Sequence, residues 1–137
     1  MRLRLAVLAL TLVLAGACDS TDPQEDFFGI YTLRTVSGNG LPFTIQDNEF
    51  DKVEVLSGEI RLLADGSFSE EIDYRLTAPG GAPRPFSDGF TGTFTRQTDE
   101  LTLTPGAGQG QDPYTVQIAA DRSLTLVLGQ HALLYRK

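Results

Sequence analysis

The sequence holds no tryptophan, one histidine and one cysteine in 137 residues. Each scarcity closes off a class of architecture or chemistry. With Cys18 alone no disulfide can form within the chain, so the fold must stand on packing and backbone hydrogen bonds. His131 is the sole imidazole, so a Ser-His-Asp or Cys-His pair would have to be built around it. Its place at a turn between two strands suits a solvated ring instead. One histidine and one cysteine offer no zinc ligand set, and no metal or other cofactor is expected. Basic residues are also few, with 11 Lys/Arg against 18 Asp/Glu. That balance excludes nucleic acid as a partner, because phosphates need a basic footprint. It equally excludes electrostatic adsorption to anionic lipid.

What is present begins with a leader. Arg2 and Arg4 form a positive start, residues 5–14 are apolar apart from Thr11, and Ala15-Gly16-Ala17 supplies small residues for cleavage. The apolar run is too short to remain as a membrane span. Cys18 follows directly, and here the chain resembles the bacterial lipoprotein signal, whose lipobox precedes a cysteine that becomes the lipidated N-terminus. The resemblance implies a cell-envelope protein held to the membrane by lipid on Cys18. Ala15-Gly16-Ala17 also fits an ordinary secretory cleavage site at the same bond, which would leave a soluble secreted protein.

Three segments follow from this: a signal peptide at 1–17, the anchor cysteine with an acidic tether at 18–26, and one domain at 27–137. Loss of Arg2 and Arg4 leaves 9 basic residues against all 18 acidic ones, a formal charge of −9 on the mature chain. The tether after Cys18 has no apolar residue to dock and reaches roughly 26 Å when extended.

From Phe27 onward short apolar-alternating runs are separated by turn residues, which predicts an all-β domain. Strands are expected at 28–36, 52–63, 68–76, 90–96, 101–104, 114–118, 124–128 and 132–136. Pro42 reduces residues 41–45 to a loop or edge piece, and 78–85 and 105–112 read as irregular loops. In the second strand Val53 and Val55 are odd while Ile60 and Leu62 are even. A period of two cannot slip without turning its core face outward, so a bulge near Ser57-Gly58 is predicted. Asp65-Gly66 is the strongest hairpin signal. Glu70 interrupts the apolar face of Phe68, Ile72, Tyr74 and Leu76 and needs a rim position or a partner. Eight strands with short connections predict an antiparallel up-and-down β-barrel, with a β-sandwich as the alternative.

Across nearly all of the mature sequence this pattern resembles the bacterial lipocalin-like domain. The segment Gly29-Ile30-Tyr31-Thr32-Leu33 stands where lipocalins carry a G-x-W motif, with Tyr31 for the tryptophan. The hairpin 60–68 and the strand Gly89-Phe90-Thr91-Gly92-Thr93-Phe94 are similar to recurring features of the group. The resemblance implies a small hydrophobic ligand in the barrel interior, with Tyr31, Leu33, Phe68, Tyr74, Phe90, Phe94 and Tyr114 as its lining. It further implies that the last strand closes on the first and that Arg136 packs over Tyr31.

Other motifs carry little. Asp47-Asn48-Glu49-Phe50-Asp51 has spaced oxygen ligands but lacks the glycine and distal glutamate of a calcium loop. Gly106-Ala107-Gly108-Gln109-Gly110 has neither the lysine nor the helix of a phosphate loop. Glu70 and Glu71 point to opposite strand faces and cannot act as an acid–base pair. The chain is therefore expected to be a non-enzyme, either a ligand-binding barrel or a solid barrel acting as an envelope interaction or assembly module.

Overall fold

The computed structural model describes residues 27–137, so the leader, Cys18 and the tether lie outside the described residues. The described strands are β1 (Gly29–Val36), β2 (Phe43–Asp47), β3 (Lys52–Leu62), β4 (Ser67–Thr77), β5 (Arg84–Gln97), β6 (Glu100–Pro105), β7 (Tyr114–Ile118), β8 (Leu124–Leu128) and β9 (His131–Arg136). All pairings are antiparallel, and β1 pairs with both β9 and β3. The eight strands β1 and β3–β9 thereby close into a barrel, which excludes the sandwich. Closure removes the long apolar edges that β1 and β9 would otherwise present.

The predicted slip in β3 is present: its register against β4 shifts between Val55 and Ser57. The bend lets β3 pair with β2 along its first half and with β1 along its second. The segment expected as a loop or edge piece is thus an edge strand, β2, beginning just after Pro42. A second bulge, between Leu33 and Thr35, explains why Tyr31 and Leu33 but then Val36 face the core.

β5 starts earlier than the apolar pattern predicts, at Arg84 instead of Phe90. Residues 84–89 are exposed and hold their place by backbone pairing to β4, down to Leu76 opposite Arg84. This half of β5 has no partner on its other side, because β6 pairs only from Gly92 onward. Pro85 has no N–H to offer on that edge. The Gly89 N–H donates to Oδ1 of Asp88 (2.9 Å) and the Thr91 N–H to Oε1 of Gln109 (3.0 Å), so the free edge is largely covered.

Two glycines let β5 pass close to its neighbours. A Cβ on Gly92 would run into the Thr104 carbonyl oxygen and lie 2.9 Å from Phe68 Cε1 and Pro105 Cα. A Cβ on Gly89 would strike the Glu70 carbonyl oxygen.

One end of the barrel is closed. Phe27 is buried there, its ring 6.0 Å from that of Tyr31, and its carbonyl accepts the Tyr31 hydroxyl at 2.7 Å. The Arg96 guanidinium stacks 4.9 Å over Phe27, and Lys137 Nζ lies 5.4 Å over Tyr31. The cation over Tyr31 is therefore Lys137 and not Arg136. Tyr135 points inward opposite Leu33, so alternation turns Arg136 outward, where it meets Asp121 at 3.4 Å.

Candidate functional site

Where the β5–β6 ladder stops, the wall of the barrel opens into an apolar recess. β4 supplies Glu70, Ile72 and Tyr74, β5 supplies Asp88, Gly89 and Phe90, and the far side is Tyr114 with residues 126–128 of β8. Gln111 of the β6–β7 loop sits over it. That loop is strapped to β5 at Thr91: the Gly106 N–H donates to its carbonyl (2.8 Å), and the Gln109 side chain pairs with its N–H (3.0 Å) and hydroxyl (3.1 Å). The recess holds about 130 Å³. A cavity of roughly 150 Å³ accepts benzene, whereas ligand pockets ordinarily run to about 300 Å³ or more. The rest of the interior is filled by one continuous cluster that includes Leu101, Leu103, Val116, Leu124 and Leu133. A larger hollow of about 570 Å³ lies on the outer face of β3–β5, open to solvent and bordered by Glu59, Arg61 and Glu71.

Glu70 gives the recess its chemistry. Only 6 % exposed, it faces inward from a strand whose other inward residues are apolar. The Tyr114 hydroxyl donates to its Oε2. Its Oε1 and the Tyr135 hydroxyl are both sealed from solvent and lie close enough to interact, without a hydrogen bond of ordinary geometry between them. Burial pushes the Glu70 carboxyl above its ordinary range and the negative charge of Asp88 adds to this, while the Tyr114 hydrogen bond and the nearby Tyr135 hydroxyl oppose it. Burial likewise raises Tyr74 to about 12, helped by Asp88 and Glu70. Tyr114 and Tyr135 are raised too, by burial first and then by the Glu70 charge. These are hydroxyls that stay protonated and donate.

Of the residues named as lining, the recess brings together Tyr74, Phe90 and Tyr114. Tyr31 belongs to the closed end, and Leu33 is packed in the core. Phe68 turns its ring edge to Tyr114 at a centroid distance of 6.5 Å. Phe94 lies against Phe28, 6.4 Å between centroids. Sequence reasoning did not reach Ile72, Asp88, Gln111 or residues 126–128 as lining. Only Glu70 had announced itself, by breaking the apolar parity of β4.

The rim is apolar. Phe86 stacks on Tyr74 with centroids 5.0 Å apart and planes 12° from parallel, yet remains 44 % exposed. Val127 beside the mouth is 64 % exposed. Elsewhere His131 lies near Ser37 (3.4 Å) and meets the Phe43 ring at 5.5 Å. The acidic turn 47–51 is organised by Asn48, whose Oδ1 accepts the N–H groups of Phe50 (2.8 Å) and Asp51 (3.0 Å). No group of three or more His, Cys, Asp or Glu positioned to hold a metal occurs among the described residues. Compared with protein-family models, curated proteins and solved structures, the chain gives no match.

Proposed function

We propose that this chain is a cell-envelope lipoprotein whose lipocalin-like barrel binds a small, mainly apolar ligand in the recess between β5 and β8. The observation that supports this reading is an apolar hollow that opens where the β5–β6 ladder stops, walled by Tyr74, Phe90 and Tyr114 and with the buried Glu70 among its lining. The volume sets the scale of the ligand: a single ring or a chain end fits, and a whole acyl chain does not.

The lipoprotein half of the proposal rests on the leader and Cys18. The chain enters the barrel at Phe27, at the closed end, while the recess opens beside the β6–β7 loop and the β8–β9 turn.

A second reading is favoured by the filled core. With so little interior space, the barrel would act through its surface as an assembly module, using the exposed rim of Phe86, Val127 and Leu128. The two readings separate in a fragment screen by NMR. Binding of single-ring compounds that shifts Ile72, Tyr74 and Leu126 and is lost in Leu128→Trp, which covers the mouth, supports the ligand reading. No binding by any such compound leaves the surface reading.

A further inference from the structure

The first half of β5 is a strand with one neighbour. Residues 84–89 are exposed, pair with β4 alone and have no strand opposite their other edge, since β6 pairs only from Gly92. The β4–β5 ladder runs from Ser67 to Leu76 without a register shift, so N–H directions alternate strictly along it. The Phe94 N–H reaches the Gly66 carbonyl beside β4, and the Thr91 N–H reaches Gln109 on the opposite side. Even-numbered N–H groups therefore face β4 and odd-numbered ones the free edge. On that edge Pro85 has no N–H, and those of Gly89 and Thr91 are taken by side chains. Of these four positions Ser87 alone presents an N–H outwards, between the outward carbonyls of Pro85 and Gly89.

We infer that this edge pairs with the same edge of a second copy of the chain, antiparallel and two-fold about Phe86. The stretch Arg84-Pro85-Phe86-Ser87-Asp88 is complementary to itself in that register. Ser87 lies opposite Pro85 of the second copy, so its N–H meets the Pro85 carbonyl, the one bond such a pair can make. Arg84 lies opposite Asp88, twice by symmetry, and Phe86 lies opposite Phe86. These even-numbered pairs are of the non-hydrogen-bonded kind, whose side chains come closest, with Cβ atoms about 4.5–5.5 Å apart. Arg84 has no ion pair among the described residues, and Phe86 is 44 % exposed even though it stacks on Tyr74. A two-fold centred on Ser87 would also use the free N–H, but it sets Arg84 against Phe90 and Asp88 against Phe86. Charge thus selects the register about Phe86.

Such a contact is isologous, so it closes at two copies and does not propagate. Five residues a side fall short of a standard interface, which buries roughly 1,600 Å² in total, and a weak dimer is expected, with a dissociation constant of about 10 μM to 1 mM. Where Cys18 carries a lipid, copies share one membrane surface, and the higher effective concentration there favours pairing.

Sedimentation velocity on the mature chain carrying Cys18→Ser, which prevents dimers through the thiol, tests the pairing. The parent should pass from monomer to dimer as concentration rises, and the Ser87 amide should gain protection from hydrogen exchange in step. Arg84→Asp sets Asp against Asp and Asp88→Arg sets Arg against Arg, so each should weaken dimerisation about tenfold or more. An equimolar mixture of the two single variants should recover it, because every facing pair is then opposite in charge. A parent that stays monomeric up to about 1 mM would overturn the pairing and leave the ligand reading of the recess standing. A dimer that neither reversal weakens, that is not recovered on mixing variants with the parent's circular dichroism, or in which the Ser87 amide gains no protection would overturn it as well.

Discussion

Tyr114 donates its hydroxyl proton to Glu70 across the barrel, joining β7 to β4, strands that do not neighbour each other in the sheet. The bond satisfies one carboxylate oxygen, and the other is sealed from solvent with the Tyr135 hydroxyl beside it. Tyr114→Phe removes the only donor that reaches Oε2 among the described residues. The cost expected at neutral pH is about 1–3 kcal/mol in urea unfolding, and it should shrink in acid, where the carboxyl is protonated. Equal cost at both pH values would detach Glu70 from this network.

Glu70 also sets a pH dependence of stability. Its folded pKa is raised, mainly by burial. Such a group contributes stability that is complete below its unfolded value and is lost as pH rises through the folded one. Glu70→Gln keeps an acceptor for Tyr114 and cannot ionise. It should match the parent chain in acid, below the ordinary 4.5, and become the more stable of the two as pH rises past the folded value. The opposite sign holds for Asp73, whose pKa is lowered by hydrogen bonds from Ser57 (2.5 Å) and Ser87 (2.6 Å), so its contribution disappears as pH falls through its folded value. Melting curves of the parent and Glu70→Gln chains across pH would check this divergence.

Gly92→Ala should destabilise the barrel by about 1–3 kcal/mol, since the added carbon meets the Thr104 carbonyl and the Phe68 ring. Gly40→Ala is the control: nothing lies within 4 Å of its added carbon, and a change within about 0.5 kcal/mol is expected. Similar losses at both sites would point to chain flexibility instead of close approach.

Closure by β9 can be tested by ending the chain after Leu128. That truncation strips β8 and β1 each of one of their two partners, opens the barrel and should abolish cooperative unfolding. Arg136→Ala should cost no more than about 1 kcal/mol, because its ion pair with Asp121 leaves both side chains 56 % exposed. A truncated chain that melts like the intact one would contradict the closed barrel.

Mass spectrometry addresses the anchor. The mature chain should start at Cys18 and carry acyl mass there, and Cys18→Ser should release it from membranes. An unmodified N-terminal cysteine would count against the lipid.

Much of this architecture is legible in the residues. The parity change from Val55 to Ile60 implies a bulge, and the register slips between Val55 and Ser57. The first half of β5 was hidden because its side chains are exposed and only its backbone is paired, so no apolar alternation marks it. Arg136 followed a resemblance where strand alternation alone, with Tyr135 inward, would have turned it out. For the site, Glu70 was legible as an anomaly and its partner was not. A contact between residues 44 apart on non-adjacent strands leaves no local trace in sequence. Residues 126–128 carry an apolar pattern that fits core and recess lining alike, and only the end of the β5–β6 ladder distinguishes them.

The most direct test of the recess as a ligand site is the position of the bound probe. Intermolecular nuclear Overhauser contacts from the ring protons of a bound single-ring fragment should fall on the methyl groups of Ile72 and Leu126 and on the Phe90 ring. Contacts confined to the exposed rim at Phe86 and Val127, or to the outer hollow beside Glu59 and Arg61, would contradict the account.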